Sequence, residues 1–116
     1  MRTIHNKLIR DGIPAQLAAA GLRYEIQTLT PDDYLLALRA KVMEEAQEVA
    51  QANPDELLAE LADLQEVMDT LAQRMSIHQE DIIQEQDKRR TERGGFDERI
   101  YLCWVENKEP EKEIEK

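Results

Sequence analysis

Seven acids fall within the twenty residues "EEAQEVAQANPDELLAELAD", and five of them are set at helical spacing: Glu44, Glu45 and Glu48, then Glu60 and Asp63. Carboxylates three positions apart share one face of a helix, so Glu45 with Glu48 and Glu60 with Asp63 would each stand side by side. Oxygen donors with no histidine or cysteine nearby suit a hard divalent ion, Mg²⁺ or Mn²⁺, rather than structural zinc. Spacing alone is weak evidence, because 25 of the 116 residues are acidic and chance supplies such a pattern readily.

Register says more. Leu35, Leu38, Val42 and Val49 follow a helical apolar stripe whose missing member is Glu45, and Leu57, Leu64, Val67 and Leu71 follow one interrupted by Glu60. Burying unpaired carboxylates costs several kcal/mol, roughly, and clustering them adds repulsion, so two such violations point to bound cations, basic partners or protonation. The bland alternative is that these acids face water or pair with Lys41 and other basic groups. That alternative predicts indifference to divalent ions, and the register favours the metal site.

Two basic clusters could face such an ion's ligand: Lys7 and Arg10 in "NKLIRDGIP", and Lys88, Arg89, Arg90 and Arg93 in "DKRRTERGGF". The second run also sits where cations complement a helix C-terminus, which is its ordinary explanation. Carboxylate-held metal beside Lys and Arg is equipment for phosphoanhydride hydrolysis. No Gly-rich Walker loop is present. His5 and His78 read as surface or capping residues. Cys103 reads as a small buried hydrophobe, and Tyr101 and Trp104 as core.

The elements that must position these groups follow from punctuation. Pro14 opens a short helix ending at Gly21, and Arg23 to Leu29 alternates as a strand. Thr30-Pro31-Asp32-Asp33 starts a helix running to about Ala52. Asn53-Pro54-Asp55-Glu56 repeats that signal for a helix to about Met75, and the short link makes the two antiparallel neighbours. A further helix starts near His78 or Gln79 and stops at Gly94-Gly95. Arg99 to Val105 reads as a second strand, able to pair with the first in a small two-stranded ribbon.

With 41% hydrophobic and 34% charged residues but five aromatics, the chain reads as one helix-rich domain over residues 1–105, with a charged, flexible tail at 106–116. A net charge of -10 opposes binding to nucleic-acid polymers or anionic membranes. One cysteine, no apolar run of about 18 residues and no signal pattern suggest a reducing cytoplasm.

On these residues the chain resembles the all-α nucleoside triphosphate pyrophosphohydrolases of the MazG-like group, which includes phosphoribosyl-ATP pyrophosphohydrolase. "EEAQE" and "ELAD" look like that superfamily's EExxE and ExxD signature, and "NKLIRDGIP" and "KRRTERGGFDERI" look like opening and closing motifs of its phosphoribosyl-ATP-pyrophosphohydrolase-like branch. The resemblance implies a mainly α, antiparallel helical bundle assembled as a dimer or tetramer. It implies Mg²⁺ held by Glu45, Glu48, Glu60 and Asp63, with Glu44, Glu45 and Glu48 as catalytic candidates. It further implies cleavage between the α and β phosphates of a nucleotide, with Lys88, Arg89 and Arg93, then Lys7 and Arg10, as phosphate contacts. Housekeeping of non-standard nucleotides is the first expectation for substrate, with phosphoribosyl-ATP the alternative. A non-catalytic acidic helical module is the competing class.

Overall fold

The structure, a computed structural model, describes residues 1–107, and these hold four helices. The chain divides into two compact units, Met1–Ile82 and Ile83–Lys116. The sequence expectation of a charged tail at 106–116 falls largely outside the described residues.

In the first unit, α1 is Ile13–Ala19, with Pro14 in its first turn where no intrahelical donor is lost. It closes on Gly21 at φ 73°, a left-handed position. There Gly21 N–H reaches the Ala18 carbonyl at 3.0 Å and Leu22 N–H the Leu17 carbonyl at 3.1 Å, the paired bonds of a Schellman stop. α2, Pro31–Gln51, begins at Thr30, whose Oγ1 accepts from Asp33 N–H at 3.2 Å, with Asp32 and Asp33 at the positive end of the dipole.

α3 is Leu57–Arg74 and starts about a turn later than its Asn-Pro signal suggests. Glu56 N–H donates to the Asn53 carbonyl at 2.9 Å, which spends Pro54 on a tight turn before the helix. The connection is short and α2 packs along α3, so the pair is an antiparallel hairpin. Its open end is marked by the Arg74 guanidinium 5.4 Å above the Tyr34 ring, joining the start of α2 to the end of α3. α3 ends on Ser76 at φ 57°, with Ser76 N–H bonded to the Gln73 carbonyl and Ile77 N–H to the Ala72 carbonyl.

The seam follows the expected stripe. Leu38 is buried at 2% exposure, and Leu35, Val42, Val49, Leu64, Val67 and Leu71 are half-buried around it. Leu57, placed in that stripe by its spacing, is instead 37% exposed, because α3 is only beginning there. Other apolar side chains point away from the seam: Leu36 and Met43 on α2, and Leu58, Leu61 and Met68 on α3, are all exposed.

α4, Gln79–Arg93, starts at His78, whose backbone N–H donates to Asp81 Oδ2 at 3.0 Å, so His78 is a capping position as its isolation suggested. The helix stops at Gly94, φ 82°. From Gly95 to Asn107 the chain is irregular.

The expected ribbon is not formed: among the described residues neither Arg23–Leu29 nor Arg99–Val105 enters a ladder. Alternation predicts a strand only if one face meets a core, and here Tyr24 and Ile26, like Ile100, Tyr101 and Leu102, are exposed. The same cause corrects two further expectations. Cys103 is exposed rather than buried, and Trp104 keeps 75% of its surface accessible rather than packing in a core.

Candidate functional site

Because Glu45 occupies a seam position of α2 and Glu60 and Asp63 lie one turn apart on α3, hairpin packing delivers all three to one place. One carboxylate oxygen from each lies within 4.8 Å of the other two, and all three residues are half-buried. Glu48, one turn further along α2, is exposed and not one of the three. It is nevertheless close in effect, since its charge is felt at Glu60.

The Glu60 carboxyl is pushed above the ordinary glutamate value of 4.5, first by burial and then by the like charges of Glu48, Asp63, Glu45 and Glu56. Glu44, Glu45 and Asp63 are met by cations. Lys41, on α2 and only 16% exposed, stands 3.4 Å from Glu45 and 3.2 Å from Glu44, the spacing of consecutive turns. Lys7 Nζ lies 3.4 Å from Glu44 Oε1, and Arg10 Nη2 donates to Asp63 Oδ1 at 2.8 Å. At Glu44 burial pulls the pKa upward, but Lys41 and then Lys7 outweigh it, so the carboxyl sits below 4.5.

Sequence reasoning named Lys7 and Arg10 as phosphate contacts and Lys41 as the cation of the bland alternative. The structure sets all three against the acids. Nothing in the periodicity could reveal the first two pairs, since Lys7 and Arg10 lie in non-helical chain and meet partners 37 and 53 residues away. Lys41 was legible, being one turn from Glu44 and Glu45.

Three clustered carboxylates with no nitrogen or sulfur donor fit a hard divalent ion, with Glu45, Glu60 and Asp63 as its holders. Lys41 and Arg10 partly neutralise the cluster.

In the second unit, Lys88, Arg89 and Arg93 occupy the last turns of α4. Arg89 Nε pairs with Glu85 at 3.4 Å across one helical turn, in line with the ordinary reading of that run. No helix is long and apolar enough to cross a membrane among the described residues.

No curated protein and no solved structure matches the chain. A family model described as phosphoribosyl-ATP pyrophosphohydrolase matches residues 23–90, more than half of the sequence and the whole acidic hairpin. The chain therefore belongs to the phosphoribosyl-ATP pyrophosphohydrolase family, and it is a hydrolase of phosphoanhydride bonds.

Proposed function

We propose that this chain is a Mg²⁺-dependent nucleoside triphosphate pyrophosphohydrolase that adds water across the α–β phosphoanhydride, giving a nucleoside monophosphate and pyrophosphate. The observation that carries the reading is the convergence of Glu45, Glu60 and Asp63 on one point of the α2–α3 seam. Bound there, the ion supplies charge neutralisation at phosphate oxygens and acidifies a coordinated water. Glu48, exposed one turn further along α2, is the proposed fourth ligand. Glu44, held ionised by Lys41 and Lys7, is suited to accept a proton or to orient a ligand. Lys7, Arg10, Lys88, Arg89 and Arg93 are the proposed phosphate contacts.

A role in clearing non-standard nucleotides is our first reading of the substrate. The family match itself favours a second, in which phosphoribosyl-ATP is hydrolysed. Membership of a family of hydrolases favours either over a non-catalytic module. We further propose that residues 1–105 act as one catalytic domain, in the cytoplasm, where the exposed thiol of Cys103 stays reduced.

Turnover on a panel containing phosphoribosyl-ATP and standard and non-standard nucleoside triphosphates, with pyrophosphate and orthophosphate measured separately, decides between substrates. Glu48→Gln and Asp63→Asn are expected to lose about 100-fold or more in turnover while keeping their helical circular dichroism. Release of orthophosphate alone would contradict the proposed cleavage.

A further inference from the structure

Arg10 and Lys7 lie outside the residues matched by the family model, yet each closes an ion pair onto the acidic hairpin. The backbone that presents them is built for it. Asn6 turns the chain in a left-handed conformation, φ 46°, which asparagine tolerates better than most residues. Leu8 and Ile13 on either side are half-buried, and Ile13 N–H donates to the Arg10 carbonyl at 3.1 Å, tying Arg10 to the start of α1. The segment is fixed while its charged ends are exposed, at 60% for Arg10 and 44% for Lys7.

Exposed pairs of this kind are weak and exchangeable. A divalent ion coordinated by Asp63 and a guanidinium 2.8 Å from the same carboxylate repel each other, so the two cations compete. The anions nearest to hand for a displaced guanidinium are the phosphate oxygens of a nucleotide on that ion, which its planar fork matches bidentately.

We propose that Arg10 is an exchange cation: it guards Asp63 against the metal, is displaced when the ion binds, and then clasps the substrate's phosphates. Lys7 does the same more weakly at Glu44. Lys41 does not exchange, because it is anchored in α2 and largely covered. The inference rests on the reading of Asp63 as a metal ligand. It makes Arg10 oppose the metal alone and favour the metal–substrate complex, a split that a merely structural residue would not produce.

The test titrates Mn²⁺ alone into the full-length wild type, Arg10→Gln, Arg10→Lys and Asp63→Asn, following free ion by electron paramagnetic resonance. KM is then measured on the best nucleotide substrate. Arg10→Gln is expected to bind Mn²⁺ about two- to tenfold more tightly than wild type, yet to show a KM raised about tenfold with a smaller change in kcat. Arg10→Lys, which keeps the charge but not the fork, should retain near-wild-type Mn²⁺ affinity with a raised KM. Equal or weaker Mn²⁺ binding by Arg10→Gln, or an unchanged KM, overturns the exchange while leaving the metal reading intact. If Asp63→Asn binds Mn²⁺ as tightly as wild type, or if wild type binds none, the metal reading falls and the exchange with it.

Discussion

Glu60 and Glu44 stand on neighbouring helices, and their surroundings move their pKa values in opposite directions. Glu60, raised above 4.5, holds its proton longer in the folded chain than in the unfolded one, so its contribution favours folding while protonated and is lost as pH rises through its folded value. Glu44, lowered, contributes above 4.5 and loses that contribution as pH falls through its folded value. At neutral pH, then, Glu60 works against the fold. Glu60→Gln, measured without divalent ions, should raise Tm by a few degrees, a gain that fades below about pH 4.5 and comes with loss of Mn²⁺ binding. Differential scanning calorimetry across pH checks this, and an unchanged or lowered Tm at neutral pH would count against a repulsive cluster. At this scale the sequence was legible where a residue broke an apolar stripe, as Glu45 and Glu60 do. It was not legible where the partner came from irregular chain, as with Arg10 and Asp63, because no periodicity relates them.

Helix boundaries were readable wherever a proline, a cap and a glycine agreed, as at Thr30-Pro31 and Gly21. The third helix shows what happens when only some agree. Asn53-Pro54 makes a turn instead of a first helical turn, since Glu56 N–H is claimed by the Asn53 carbonyl. The far end of α3 uses the same stop as α1 but places serine, not glycine, in the left-handed position. A Cβ there is strained, so Ser76→Gly should stabilise the first unit by about 0.5–1 kcal/mol, read as a rise in urea midpoint with unchanged slope. No gain would mean that the serine side chain compensates locally. The missing ribbon failed for a reason propensity cannot express: β-prone residues such as Tyr24 and Ile26 make a strand only when another strand and a core receive them.

Only Leu38 is buried among the described residues, while Leu36, Met43, Leu58, Leu61 and Met68 are exposed on the hairpin. We propose that a second copy covers these side chains, in the dimer or tetramer implied by the resemblance. Leu58→Glu combined with Leu61→Glu is therefore expected to shift the sedimentation mass toward that of the monomer and to lower Tm, while a wild type sedimenting as a monomer would remove the basis for assembly. Composition pointed to a helix-rich domain without saying how much of the apolar surface the hairpin itself would use.

The chain's single tryptophan, Trp104, belongs to the second unit, and the tyrosine under Arg74 belongs to the first. Indole is thus confined to the second unit, while tyrosine occurs in both, as Tyr24 and Tyr34 in the first and Tyr101 in the second. Indole emission follows the surroundings of Trp104, whereas Tyr34 sits at the hairpin's open end beneath a cation. Loss of order in one unit before the other would show as two optical transitions at different temperatures, with no label added to the protein.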